Sequence, residues 1–523
     1  GTENAFLGFN AGYNATGSTS YAVAIGSHAG YQNNNGSVVY IGRYAGYAGS
    51  GHIGGGNIGI GYQALFTNRS TDETGMKWNI AIGRAAMSNT TDTLGAAHSN
   101  VAIGYYALNN IESGSRNIAI GGQEGGGDGG TGEYLKNGDD NTFVGAKAGQ
   151  GIDSGNIHSS DNVFIGAIAG GNQNGVDGNV GVGYKALVFA RGNYSVAVGY
   201  EAGDHATGSY NTFIGAQAGQ GGTTSAPYSS GESNVALGYY ALKNFTTGYS
   251  NVAIGSHAMD AITDSNNAIG IGAGALGGTT STLGSVVLGT NAGNNATFGN
   301  YNIIMGYTNG QGALGTMNTF IGGAETGRAA TSDYAIGIGA YALQNTTVTG
   351  NVGIGHKALR SNTSGAGNIA IGYQALLTHT TGARNIAIGY AAMDDTNAGS
   401  TSLGSIDNIF IGDSAGGGTW ADAASNYNVA IGNLTMDGAL NGALYNMAMG
   451  YGALGALTSG DSNVALGHGA GSTITTGGNN ILIGRAAGDA YTALEGTVLI
   501  GHYAGSAINS NNSNYSVMIG YNA

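Results

Sequence analysis

Cysteine is absent from the 523 residues, proline occurs once, at Pro227, and only 8% of side chains are charged. Without cysteine there are no disulfides and no thiolate zinc sites, although the compartment stays open. Lys and Arg number 15 against 29 Asp and Glu, a net charge of −14 spread thinly along the chain. No basic patch could release counterions from a phosphate backbone, so nucleic acid is not an expected partner. Gly, Asn or Ser interrupts every apolar run before it reaches membrane-spanning length, so no membrane insertion is expected in this segment. A basic-then-apolar leader is missing too. What abounds is glycine, 103 residues, beside a hydrophobic content of 41%. Disorder goes with few apolar residues and high charge. Glycine this frequent therefore points to one backbone geometry repeated many times.

The repeat is direct to read. Asn57-Ile-Gly-Ile-Gly-Tyr-Gln-Ala-Leu65 returns as Asn368-Ile-Ala-Ile-Gly-Tyr-Gln-Ala-Leu376 and as Asn211-Thr-Phe-Ile-Gly-Ala-Gln-Ala-Gly219. Alignment on the glycine that follows the aliphatic residue gives 29 anchors from Gly8 to Gly520, among them Gly104, Gly255, Gly372 and Gly467. The commonest step is 17 residues. Positions are counted from this anchor below. Position −1 is always aliphatic or Met, and −3 is usually Val, Ile or Thr. Asn holds −4 in 21 of 29 coils, as at Asn100, Asn251, Asn368 and Asn463, and Ala holds +3 in 25. A fixed Asn suggests a side-chain ladder or a turn bonded to the backbone. The anchor suits a bend with positive φ or an approach too close for a Cβ. Gly every few residues would cost a helix about 1 kcal/mol each. The pattern predicts one short strand, a sharp corner and a second extended stretch per coil.

The fold class is therefore all-β: a parallel β-solenoid of about 29 coils of roughly 17 residues, one continuous repeat domain over residues 1–523. Longer loop insertions fall near 62–82, 122–144, 146–165, 216–237 and 390–411. At the strand spacing, such a stack would be a rod roughly 140 Å long. The chain opens in mid-repeat and stops just after the last anchor, both without capping segments, which suggests a piece of a longer rod. Positions −3 and −1 share one strand face by the period of two, and they are expected to line the inside. Position −2 then faces out, yet it holds Ala24, Ala102, Gly59, Phe213 or Leu482 rather than polar residues. A strand apolar on both faces is buried on both, and an outward stripe of this length exceeds what a monomer tolerates. Identical chains around an axis would cover it, so the expected partner is the chain itself, as a homotrimer.

Ser195-Val-Ala-Val-Gly199, Asn251-Val-Ala-Ile-Gly255 and Asn463-Val-Ala-Leu-Gly467 resemble the repeat in the head domains of trimeric autotransporter adhesins. The fuller Asn-x-Ala-Ile-Gly-Tyr-x-Ala-Leu form with Thr-Thr-Gly turns is similar to shaft repeats of bacteriophage tail fibres. The resemblance implies a left-handed parallel β-roll closed as a trimer, in an extracellular attachment fibre on a cell surface or a virion. A glycan or protein receptor on a host surface is the implied partner.

Chemistry in the usual sense is hard to find. No Ser/His/Asp constellation recurs, so the chain is expected to be no enzyme and to need no cofactor or metal. A tailspike-type glycosidase would need paired carboxylates in a groove. Tyr follows the anchor in ten coils, including Tyr62, Tyr105, Tyr239, Tyr373 and Tyr390. Such a file either stacks on host glycans or packs coil on coil, and its free exchange with Ala, Arg and His favours packing. The acidic, Gly-rich Gln123–Glu133 stretch with Asp139 and Asp140 has oxygen ligands for calcium. It does not recur, so it reads as a solvated loop, and so do Asp153, His158 and Asp161. His356, His468 and His502 share position +1, while His28 and His257 share +2. Gly270-Ile-Gly-Ala-Gly274 mimics a dinucleotide loop but has no helix after it. Two further functions compete: a self-assembling extracellular filament without a receptor, and an ice-binding solenoid. The latter wants regular Thr pairs, whereas Thr here is expected only in irregular turns.

Overall fold

The computed structural model describes all residues except 1, 15–18, 33–35, 50–52, 68–75, 89–96, 123–128, 152–158, 173–174, 190, 224–227, 295–296, 313, 324, 329, 397–400 and 507–513. It is an all-β parallel solenoid with 29 strands of three residues each, from β1 (Ala5–Leu7) to β29 (Val517–Ile519), numbered in chain order. Each strand ends on the residue before an anchor glycine. Two compact units share the strands: Gly1–Asn267 holds β1 to β14 (Val252–Ile254), and Ala268–Ala523 holds β15 (Ile269–Ile271) to β29. Within each unit successive strands pair in parallel and in register, centre on centre, as in Ala236↔Ala253 and Gly270↔Val287. The expected second extended stretch survives only as isolated parallel bridges such as Lys77↔His98 and Phe298↔Leu314.

The anchor glycine meets both conditions that its position suggested. All 29 anchors have φ between 119° and 153°. A methyl group on Gly8 would also lie 2.7 Å from the carbonyl carbon of Gly26, and one on Gly145 2.7 Å from that of Gly166. The anchors thus stack peptide on peptide. Their N–H groups bond the preceding coil, as Gly61 N–H does to the Ile41 carbonyl at 2.8 Å. Position −4 is a buried amide ladder. Asn79 donates its backbone N–H (2.8 Å) and its Nδ2 (3.2 Å) to Asn57 Oδ1, and Nδ2 also reaches the Ala97 carbonyl at 2.9 Å. Asn100 repeats this on Asn79, Asn117 on Asn100, Asn251 on Asn234, and Asn463 on Asn446. Each amide satisfies buried groups that would otherwise cost about 1–3 kcal/mol apiece.

The strand faces are the reverse of the sequence expectation. From β2 (Val23–Ile25) to β28 (Val498–Ile500) the central residue is buried and both flanking residues are half-buried or exposed. Ala253, Phe213 and Leu482 are completely buried in the coil, while Ile120 and Leu237 point outward. The period of two was right, but it cannot say which face is inside. The coil interior is narrow enough that Ala suits it, because position +4 fills the same space. Where the centre is aromatic, as at Tyr40, Phe143, Phe164 and Phe410, position +4 is Gly46, Gly149, Gly170 and Gly416. A methyl group on Gly170 would sit 2.6 Å from the Phe164 ring, and one on Gly46 2.5 Å from Tyr40. Where the centre is Ala or Gly, position +4 is mostly a buried Leu or Met, as in Leu65, Met87, Leu242 and Leu376. The exceptions Gly30, Gly203 and Gly471 face a large centre in the next coil, with Tyr40 at 3.3 Å, Phe213 at 2.9 Å and Leu482 at 2.6 Å from an added methyl.

This exchange yields a double-mutant cycle. Phe164→Ala should cost about 3–5 kcal/mol by opening a cavity, and Gly170→Leu alone should overpack the same space at about 1–3 kcal/mol. Combined, they recreate the arrangement of other coils, so denaturant unfolding should show the double variant at least about 1 kcal/mol more stable than the sum of the singles. Strict additivity would mean that the two positions do not share one volume.

Candidate assembly face

The outward strand positions form two parallel aliphatic columns that recur from coil to coil. Ile120 remains 39% exposed, Leu237 43% and Met449 49%, with their −3 partners Ile118, Val235 and Met447 similarly open. Two further columns border them. Position +1 carries Tyr62, Tyr184, Tyr239, Tyr373 and Tyr451, all exposed. Position −5 carries exposed Tyr21, Trp78, Tyr194, Tyr334 and Tyr445, with positive φ of 54–62° at each. Position −5 is left-handed in all 29 coils whatever residue occupies it. That turn rolls the side chain outward beside −3. The face is thus aromatic, aliphatic, aliphatic, aromatic across its width. Charge enters it sparingly: at +1 as exposed Arg43, Arg84, Asp413 and Arg485, and at −5 in the cross-coil pairs Arg116 with Asp140 (2.6 and 2.7 Å) and Arg384 with Asp407 (2.7 and 2.8 Å). Both arginines are held further charged, and both aspartates more acidic, by the hydrogen bond each pair shares.

The five tyrosines singled out at +1 sit in this border and touch one another's neighbours. Tyr373 stacks on Tyr390 at 5.2 Å and 7°, and on its other side His356 stacks at 5.2 Å and 15°. The Arg84 guanidinium lies 5.9 Å from the Tyr62 ring and 5.5 Å from Tyr105. Tyr239 stacks on Tyr240 at 3.9 Å, with His257 edge-on at 5.5 Å. These contacts supply the packing expected of the file, while Tyr62, Tyr239, Tyr373 and Tyr390 stay exposed at the surface. His468 stacks on Tyr451, and His502 on Tyr521, so the +1 histidines belong to the same ladders.

Other polar candidates also resolve into coil-to-coil bonds. Asp139 Oδ1 accepts the Ser115 N–H of the preceding coil at 2.6 Å, whereas buried Glu133 accepts the Gly130 N–H within its own coil at 2.8 Å. Asp177, Asp333 and Asp461 repeat the Asp139 bond one coil back from position −6, at 2.6–2.8 Å. This second ladder, on the outer edge, had no visible signature because its acceptors are Asp, Asn, Glu or Ser and many coils hold none of them at −6. Asp161 is described, whereas Asp153, His158 and residues 123–128 lie outside the described residues. Among the described residues no group of three or more His, Asp or Glu could hold a metal ion. The glycine motif at 270–274 begins in strand β15. Thr is more regular than expected: Thr458, Thr475 and Thr492 align, and the first two hydroxyls each donate to the next Thr carbonyl at 2.9 Å. Each of these two hydroxyls gives its one hydrogen to the backbone. No helix among the described residues is long and apolar enough to cross a membrane.

Two buried titratable sites stand apart from the repeat. Asp204 is buried, and desolvation, helped by the Glu201 charge and opposed by Lys185, pushes it up to about 6. His205 beside it is pushed down by burial. Glu201 itself is held by Gln217 Nε2 at 2.6 Å and Gln220 Nε2 at 3.1 Å. The second site is inside the coil, where buried Thr346, Asn362, His379 and Thr396 follow one another in the column that holds Ile262, Leu457 and Ile474 elsewhere. His379 Nδ1 lies 3.2 Å from Thr396 Oγ1, and Nε2 lies 3.1 Å from Asn385 Nδ2. Burial pushes this imidazole down to about 4, against weaker upward pulls from the Gly382 and Ser405 backbone.

No protein-family model matches the chain, and no curated protein matches its sequence.

His379 gives a signed pH dependence. Its folded pKa lies below the unfolded value, so neutral His379 favours the fold above about pH 6.5, and this contribution falls away down to about pH 4. The loss is roughly 3 kcal/mol at 1.36 kcal/mol per pH unit. Asp394, pushed up to about 6 chiefly by burial, works in the opposite sense, so the comparison must be differential. Chemical denaturation of the parent and of His379→Asn should show stability curves that converge or cross between pH 7.5 and 4.5. Parallel curves would mean that the buried imidazole is not the titrating group.

Proposed function

We propose that this chain is the structural shaft of an extracellular attachment fibre, a phage tail fibre or a cell-surface adhesin, assembled as a homotrimer and without catalytic activity. The observation that carries the reading is the outward pair of aliphatic columns at −3 and −1, present in both units. Water-facing Ile, Val, Leu and Met at this density and regularity call for a cover. A cover that matches coil by coil is most simply another copy with the same period. The stacked tyrosines and histidines at +1 and the rings at −5 border that seam, where amphipathic side chains serve interfaces well. The sparse charge suits a passive spacer, and the resemblance of the repeat to adhesin heads and tail-fibre shafts agrees with it.

A receptor-free filament uses the same face. It is distinguished by whether recognition elements accompany the shaft. Ice binding and a tailspike-type glycosidase are weaker alternatives, since the aligned threonines are tied to backbone and Glu201 and Asp204 are enclosed by their neighbours.

Mass photometry should find particles of three 51.8 kDa chains. Because Ala253 is enclosed in the coil, Ala253→Asp is expected to impair folding, not assembly, and outward residues are the proper probes. Aspartate at Ile118, Ile120, Val235 and Leu237 together should leave the β-type circular dichroism intact and shift the particles to single chains. Unaltered trimers in that variant would remove the aliphatic columns as the interface. A parent that is a stable soluble monomer would defeat the trimer altogether.

A further inference from the structure

Position +5 lies in the turn beyond the anchor, and nearly every coil places a polar residue or glycine there: Ser88, Asn109, Gln150, Gln220, Gln344, Ser472. The first four coils do not. They place Tyr13, Tyr31, Tyr47 and Phe66 at +5, and the four rings form one stack at 5.1, 4.9 and 5.2 Å, all within 14° of parallel. At +2 of the same coils His28 and Tyr44 stack on each other at 5.1 Å. They also touch the first file, His28 with Tyr31 at 5.7 Å and Tyr44 edge-on with Tyr47 at 5.5 Å. Tyr13 is 48% exposed, and the other rings of the stack are partly exposed. The repeat does not require this cluster, since the later coils stack without it.

We infer that this aromatic corner is a binding strip for an uncharged saccharide chain. Three features select that ligand. First, the strip repeats once per coil, so it suits a ligand that is itself a repeating polymer laid along the coil axis. Second, from residue 4 to residue 66 the only charged side chain is Arg43. That guanidinium lies over the Tyr44 ring at 5.0 Å, and one cation in four coils is too few for a polymer with a sulfate, carboxylate or phosphate on each unit; the same count argues against a nucleic acid, whose stacked bases come with a charged backbone. Third, the stack presents ring edges and phenol hydroxyls together. Phenols offer apolar contact and hydrogen bonds side by side, as a ligand with alternating C–H and O–H groups requires. Unlike Tyr373 and Tyr390, this file stands in the turn and not at the border of the aliphatic columns, so the inference holds whether or not the chain assembles as proposed.

The test uses the full chain and four uncharged hexasaccharides as probes: cellohexaose, maltohexaose, laminarihexaose and chitohexaose. Isothermal titration should find saturable binding of at least one, with affinity rising from the disaccharide to about the tetrasaccharide. The variant Tyr31→Gln/Tyr47→Gln installs a residue that other coils already hold at +5, so it should keep the parent melting curve while losing at least tenfold in affinity. Tyr373→Ala/Tyr390→Ala should bind as the parent does. Absence of binding by all four probes at millimolar concentration would overturn the inference. So would binding undiminished in the +5 variant, or a sulfated oligosaccharide bound in preference to every neutral one.

Discussion

Everything in this fold hangs on the close stacking of one glycine peptide upon the next. With anchors such as Gly8 and Gly145, where an added methyl group would lie 2.7 Å from the following coil's backbone, no side chain can enter this column, and the coil must bend there with positive φ. The bend sets the phase of all else. It places the −4 amide beneath its predecessor, where one Asn oxygen receives both a backbone N–H and an amide hydrogen of the next coil. It also sends the central strand residue inward and the flanking aliphatics outward. A single coil could not hold this shape. Positions −5, +2 and +4 commonly adopt left-handed backbone with Tyr, Ser, Leu or Met, a conformation that costs an L-residue roughly 1–2 kcal/mol. Pairing between coils offsets that strain, so the stack is stable only as a stack.

The sequence made part of this plain. The aliphatic-Gly anchor locates all 29 strands to the residue, because no other feature returns so regularly, and Asn at −4 announces a ladder. Which strand face is inside was not legible. Small central residues such as Ala253 read as surface when considered alone, and they make sense only once Leu or Met at +4 is seen to fill the same interior. The signal existed as an exchange between two columns: Phe164 with Gly170 in one coil, Gly181 with Leu187 in the next. The left-handed positions were hidden for a different reason. Glycine advertises positive φ, but Tyr194, Leu242 or Met259 in that conformation carries no mark.

The candidate face was legible in kind and misplaced in detail. A strand apolar on both sides remains the finding, with the outward side now formed by Val, Ile, Leu and Met at −3 and −1. The tyrosine file at +1 is laid coil on coil, and the −5 file on the other border went unnoticed because Tyr there alternates with Ser, Asp, Arg and Gly. Acidic residues that resembled loose ion ligands, Asp139 among them, are cross-coil backbone acceptors. Many of the chain's polar side chains thus join one coil to the next, and Val, Ile, Leu and Met at −3 and −1 stay open on the outside.

The absence of cysteine allows the central claim to be tested with single thiols. Ile120→Cys, on the outward strand column, and Ser472→Cys, in a turn, should be labelled with a maleimide under native conditions and again after unfolding. If the aliphatic columns are covered by identical chains, the thiol of Ile120→Cys should react at least tenfold more slowly than that of Ser472→Cys in the native particle. The two should react equally fast once unfolded, and mild oxidation should link the Ile120→Cys chains to one another. Prompt, equal labelling of both native thiols, with no interchain disulfide in Ile120→Cys, would show the face open to water and contradict the account.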